Sequence, residues 1–236
     1  QSIIRAAQLP TFDFMQFIEL RVAAYFKRQP EELLSLSEVH GMLKQLERNY
    51  PGLQAEVLQP YFISMPQLGE VLQQLVRQGV AIKDFRAIVE AIASYCASHG
   101  ITSDQPENVD IDEVVAAVRI SRRRYLLAPL VSCRQRLRVC TLSPELEETL
   151  DQAEISDVRN LIAIDPVDFE RARTALKEIS GPIKNRGVLP FCVLCRSDLR
   201  PKVVSLLDAC GELLSVVTYE ELEANFPLES VGNWDI

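Results

Sequence analysis

The sequence predicts an α+β, multidomain chain in which a helical-bundle subdomain is followed by a small α/β subdomain of four strands and three helices. Two patterns carry this expectation. Apolar residues recur at helical spacing from Phe14 to Val118, with capping residues and short links between the stripes. From Arg136 the period changes, and short β-branched runs alternate with amphipathic stretches opened by Ser-Pro or Asp-Pro.

Phe14, Phe17, Ile18, Val22 and Tyr25 mark the first helix, and Met15, Leu20 and Phe26 make it apolar on its other sides too. A helix apolar all round is normally enclosed by neighbours, which the stretch Gln1 to Asp13 is too short to supply. The chain opens on Gln1 rather than Met. The expectation is therefore a chain that starts inside a longer protein, with residues 1–32 the remnant of a preceding subdomain. Ser35 and Glu38 then have capping-box spacing, ahead of the stripe Val39, Met42, Leu43, Leu46 and Tyr50, which Pro51-Gly52 stops. Ser64 and Gln67 repeat the device before Leu68, Val71, Leu72, Leu75 and Val76, and Gly79 sits where a left-handed C-terminal cap is wanted. Phe85, Ile88, Val89, Ile92 and Cys96 trace a third stripe, ended by His99-Gly100. After a polar loop, Asp110 and Glu113 cap a fourth helix with Ile111, Val114, Val115 and Val118 on one face. Residues 33–131 therefore read as a compact bundle.

Residues 132–236 read as the α/β subdomain. Leu137–Leu142, Asn160–Ile164, Leu189–Cys195 and Leu213–Val217 are the expected strands. Ser143-Pro144, Asp165-Pro166 and Ser197 open the helices between them, the second with Phe169, Ala172, Leu176 and Ile179 inward.

At 236 residues, 47% of them hydrophobic, the chain can bury a sizeable core. No uninterrupted apolar run approaches the ~20 residues that span a bilayer, and no signal peptide opens it. The net charge of −8 argues against nucleic acid as the default partner. The charge is unevenly placed, however. Arg119, Arg122, Arg123, Arg124, Arg134, Arg136 and Arg138 fall in one stretch without an acid, and from Tyr219 onward there are acids but no Lys or Arg. Such polarity favours charge-complementary contact, within the molecule or between copies.

Reactive chemistry finds no support. The six cysteines lie in apolar or helical segments and read as reduced thiols. Cys192 and Cys195 have a CxxC spacing, but three residues apart on a strand they point to opposite faces, and no second CxxC completes a metal shell. His40 and His99 have no adjacent nucleophile pattern, and no phosphate-cradling glycine loop occurs. The expectation is a protein that is not an enzyme and holds neither cofactor nor metal. The arginine stretch reads as a protein-facing edge, with an RNA-binding protein as the alternative.

These residues resemble the cytoplasmic region of the type III secretion export gate, the family of the flagellar export protein and its injectisome counterpart. The resemblance is carried by LLSLSEVHGMLKQL ending at Leu46, by Gln67–Ala93 with Lys83-Asp84-x-Arg86 leading into Glu90, and by Val118-Arg119. Further on it is carried by Leu142-Ser143-Pro144-Glu145-Leu146, Ile164-Asp165-Pro166, Val217-Thr218-Tyr219-Glu220-Glu221-Leu222 and Ser230-Val231-Gly232. Arg122, Arg123 and Arg124 stand where the family usually ends this helix in leucine-serine-arginine.

The resemblance implies protein transport by an export apparatus at the cytoplasmic side of the bacterial inner membrane, a virulence system in the injectisome branch. It implies a homo-oligomeric ring, nonameric in the family, that receives export chaperones and secreted substrates alongside other export apparatus proteins, without nucleic acid. Residues 33–131 would be the ring-forming subdomain, and residues 132–236 would border a docking cleft. Lys83, Asp84, Arg86, Glu90, Arg119, Arg122, Arg123 and Arg124 are the candidate subunit or partner interface. Arg86 with Asp84 and Glu90 reads equally as an ion-pair set on one helix. The arginine-rich link with Pro129 is the expected hinge between the halves.

Overall fold

The structure, a computed structural model, describes residues 13–52, 63–101, 109–131, 136–156, 161–185 and 191–236. Helix α1 (Phe14–Arg28) opens on a capping box between Asp13 and Gln16. Its apolar residues face water: Phe14 is 76% exposed, and Phe17, Leu20, Val22 and Tyr25 are also exposed. A 3₁₀ turn (Pro30–Leu33) follows, tied back by the Tyr25 hydroxyl donating to Glu32 at 2.6 Å.

The bundle consists of α2 (Leu36–Asn49), α3 (Met65–Arg77), α4 (Phe85–Ser98) and α5 (Ile111–Ser121). Both expected capping boxes form, Ser35 with Glu38 and Ser64 with Gln67. Each supplies acceptors to amides that a helix start leaves orphaned. Gly79 takes φ +74°, the left-handed conformation its place after α3 requires. At α5 the expected reciprocal cap is only half present. Asp110 accepts from the amides of Asp112 (2.9 Å) and Glu113 (3.2 Å), while the Glu113 carboxylate accepts from the Tyr95 hydroxyl instead. That bond joins α4 to α5, which a box could not do. Val39, Leu43, Leu68, Leu72, Ile88, Ile92, Val114 and Val118 share one closed core, as the stripes predict.

After α5 a short helix, α6 (Arg123–Leu127), leads to the α/β part: β1 (Leu137–Leu142), α7 (Pro144–Gln152), β2 (Ile155–Ser156), β3 (Leu161–Ile162), α8 (Pro166–Asn185), β4 (Cys192–Cys195), α9 (Arg200–Cys210), β5 (Val216–Thr218) and β6 (Leu228–Trp234). The main sheet runs β5-β4-β1-β6, parallel throughout. Three of the expected strands contribute to it, with β4 inside Leu189–Cys195, of which residues 189–190 lie outside the described residues, and β5 shifted from Leu213–Val217 to Val216–Thr218. The fourth expected strand, Asn160–Ile164, does not join: Leu161–Ile162 pairs antiparallel with β2 as a separate ribbon, with Leu161 half exposed, while Asn160 lies outside the described residues. Its place beside β1 is taken by β6, which the sequence reading left unassigned. The segment LESVGNW has little β-branched content, a glycine and a bulge opposite Val139/Cys140, so its periodicity is broken. Trp234 fixes it, wholly buried with its indole N–H donating to the Ala172 carbonyl at 2.7 Å. Gly232 lets α8 approach, since a Cβ there would lie 3.4 Å from Ile179.

Both faces of the sheet are covered. Helices α7, α8 and α9 bury Cys140, Val193, Cys195 and Val216 on one side. On the other, Leu127, Leu130 and Val131 from the arginine-rich link, with Leu222 and Phe226, cover Leu137, Val139, Cys192, Leu194 and Val217. The expected hinge segment is thus packed against the sheet at its Leu127–Val131 end, because a parallel sheet exposes two apolar faces and needs a lid on each. Helix α9 begins at Arg200 rather than at Ser197, which lies in a turn.

Candidate functional site

The two halves meet on a buried charge cluster. Arg119, near the end of α5, donates from Nε to Glu221 Oε1 at 2.6 Å and from Nη2 to Glu221 Oε2 at 3.0 Å. Arg200, first residue of α9, reaches the same Oε1 at 3.2 Å. All three residues are almost wholly out of water. Two arginines share one carboxylate in low dielectric, so burial first, and then the Arg119 charge, lower the Arg200 pKa from its ordinary value.

The cluster also seals a sheet edge. The parallel register pairs Val193 with Val216, and the Val193 amide donates to the Ser215 carbonyl at 2.9 Å. That register turns the backbone polar groups of Val216 and Thr218 away from β4, toward the free edge of the sheet. Arg119 Nη2 donates to the Val216 carbonyl at 2.8 Å, and the Thr218 amide donates to Glu221 Oε2 at 3.2 Å. One ion pair therefore joins the lobes and caps an edge strand.

Beside this edge lies a cleft of about 610 Å³, with Val80, Leu126, Leu130, Val216 and Val217 among its apolar lining and Lys83, Asp84, Arg122 and Tyr125 among its polar lining. Asp84 caps α4, accepting from the Ala87 amide at 3.4 Å, and also accepts from Arg122 Nη1 at 2.6 Å. The bond from Arg122 holds the Asp84 carboxyl below the usual range. Arg122 lies over the Tyr125 ring, 4.3 Å from its centroid. A second groove of about 810 Å³ runs between the bundle and α9, with Glu31, Leu36, Gln73, Arg77 and Val204 in its wall.

Of the residues singled out from the sequence, Lys83, Asp84, Arg119 and Arg122 gather at the cleft. Arg123 and Arg124 both face Glu223, at 3.7 and 3.0 Å. Arg86 and Glu90 lie apart, paired at 2.7 Å on the exposed face of α4, with Arg86 4.4 Å from the centre of the Tyr50 ring. Arg119 points inward rather than to the surface. The contrast between the arginine stretch and the acidic C-terminal segment is satisfied at these positions inside the chain.

Sequence reasoning missed Glu221 and Arg200 as partners of Arg119, and Arg77 as the partner of Asp208 at 3.0 Å. A signal for Glu221 existed, since Thr218-x-x-Glu221 has capping-box spacing and the box forms. Cys192 and Cys195 do diverge, into the packing on opposite faces of the sheet. Burial raises both thiols to about 12. Among the described residues no group of three or more His, Cys, Asp or Glu is placed to hold a metal ion, and no helix is long and apolar enough to cross a membrane.

The nonameric EscV cytosolic domain from the type III secretion system has a similar fold, with a TM-score of 0.68 at 21% identity over 86% of this chain and 57% of that one. Nonameric EPEC SctV-C matches with a TM-score of 0.74 at 20% identity, over 92% of this chain and 62% of that one. The Chlamydia pneumoniae CdsV and CdsO protein complex contains a chain that matches at 0.71 and 22%, over 99% and 65%. The sequence matches the FHIPEP family model over residues 1–227, and the chain belongs to that family. Its relatives include Protein MxiA of Shigella flexneri, 25% identical over 202 residues, and the flagellar biosynthesis protein FlhA of Bacillus subtilis, 24% identical over 220. These alignments take in 84% and 93% of this chain but 27% and 31% of the relatives, so the chain spans about a third of their length.

Proposed function

We propose that the chain is the cytoplasmic part of a bacterial type III protein export gate, which assembles into a homo-oligomeric ring at the inner membrane and docks chaperone–substrate complexes. It works through surfaces and is not an enzyme. The supporting observation is the shared fold: a neighbour that matches over 92% of the chain is a nonameric assembly, and another, matching over 99%, was solved in complex with CdsO. In this reading residues 1–32 end a preceding subdomain, which would account for the exposed apolar face of α1. Residues 33–131 form the ring, and residues 132–236 border the docking cleft. Lys83, Arg86, Glu90, Arg123 and Arg124 reach the exterior and meet neighbouring subunits or partners. Arg119 and Arg122 set the shape of the surface from within, Arg122 through its bond to the exposed Asp84. Against the RNA reading, Arg119, Arg122, Arg123, Arg124 and Arg138 each face a carboxylate of this chain.

Docking is tested by immobilising the chain and passing over it purified export chaperone–cargo complexes from a type III system, with free chaperone as control. Saturable capture of the complexes is expected. Absence of capture by a chain shown to be folded removes the docking role.

A further inference from the structure

Two hydrogen-bond donors at the cleft beside β5, neither with an acceptor among the described residues, bear on what enters it. Lys83 lies exposed on the cleft wall without a carboxylate partner, whereas the other cations there are engaged, Arg122 by Asp84 and Arg119 by Glu221. The Val216 amide faces the outer edge of the sheet, where Arg119 satisfies its carbonyl but no acceptor reaches its N–H. Val216 is buried, so an unfilled donor there is costly unless something comes to fill it. Around these donors the lining is largely apolar, from Val80, Leu126, Pro129, Leu130 and Val217.

We infer that this cleft is a docking site for an extended, acidic peptide segment of a partner protein. The segment lays apolar side chains against Leu126, Leu130 and Val217, offers a main-chain carbonyl to the Val216 amide, and sets a carboxylate against Lys83. An extended strand fits because it alternates side chains with carbonyls, which is what an apolar wall beside a strand edge with one unfilled amide can read. Charge complementarity sets the sign: a basic segment would meet Lys83 unfavourably and find Asp84 already paired. The volume of about 610 Å³ takes a few side chains rather than a whole helix. The inference rests on the docking-platform reading and narrows it to one surface and one partner chemistry.

The test uses the full chain and two short fluorescein-labelled peptides, one alternating valine with glutamate and one alternating valine with lysine, followed by fluorescence anisotropy. Saturable binding of the acidic probe and none of the basic probe is expected. Lys83→Glu is expected to weaken that binding by about tenfold, the size of one partly exposed ion pair turned into repulsion. Ala81→Trp, which fills the mouth of the cleft from an exposed position, is expected to abolish it, with both variants melting as the parent does. Equal binding of the two probes, or binding that Ala81→Trp leaves intact, overturns the inference. So does a result in which no peptide binds and Ala81→Trp lowers the assembled mass, since the cleft would then belong to a second copy. The peptide-binding outcomes leave ring formation by the parent chain untouched, and that is read separately by particle size.

Discussion

Arg119 and Glu221, 102 residues apart in sequence, meet at 2.6 Å with side chains only 3% and 1% exposed. The pair is the point at which the bundle and the sheet lobe become one body. Its geometry is two-pronged, with Nε and Nη2 on the two carboxylate oxygens, and Nη2 reaches on to the Val216 carbonyl. A planar guanidinium can do this and an ammonium cannot. Replacing Arg119 with Ala should cost roughly 3–5 kcal/mol, because it leaves the buried Glu221 carboxylate to Arg200 alone among cations and strands the Val216 edge carbonyl. Arg119→Lys should recover less than half of the loss. Urea midpoints of the three proteins check this; a parent-like midpoint for Arg119→Lys would mean that charge alone suffices.

By contrast, Glu223 faces Arg123 and Arg124 in the open, the latter 83% exposed. Glu223→Gln should leave the urea midpoint where it is, and the comparison with Glu221→Gln measures what burial adds to an ion pair.

Trp234 is the chain's single tryptophan and is wholly buried in the sheet lobe, so its emission reports that lobe alone. Leu72 sits in the bundle core with no exposure. Leu72→Ala should lower stability by about 2–5 kcal/mol. If the latch couples the lobes, Trp234 emission and far-UV circular dichroism will still shift at one urea concentration, because the lobes unfold together. In Arg119→Ala the two transitions should separate.

The buried thiols set an alkaline limit. Burial raises Cys192 and Cys195 from an ordinary 9.0 to about 12, so the fold favours their protonated form. With the folded pKa above the unfolded one, their contribution is fully present below about pH 9 and is lost as pH rises toward 12. Unfolding midpoints should therefore fall between those pH values, and less so in Cys192→Ala. At neutral pH a thiol reagent should reach these two residues only after denaturation.

The bundle was legible from the sequence because each signal in it is local. Ser35/Glu38 and Ser64/Gln67 lie three residues apart, and the stripes under Leu43, Leu72 and Ile92 repeat within a single helix. The sheet was legible at β1, β4 and β5, where β-branched and apolar residues run together. It was not legible at β6, whose place is fixed by tertiary contacts of Trp234 and Gly232 with α8. The candidate site was half legible: the two blocks of opposite charge showed that something pairs, but which arginine is buried is decided by where α5 ends against β5. Glu113 shows the same limit on a smaller scale, since it has capping spacing and yet binds Tyr95.

The proposed role requires the chain to assemble with copies of itself. Particle imaging of the full chain at high concentration, at low and moderate salt, counts the subunits directly. Closed rings that loosen as salt rises are the predicted result. Particles that stay single at every concentration and at both salt levels would contradict it.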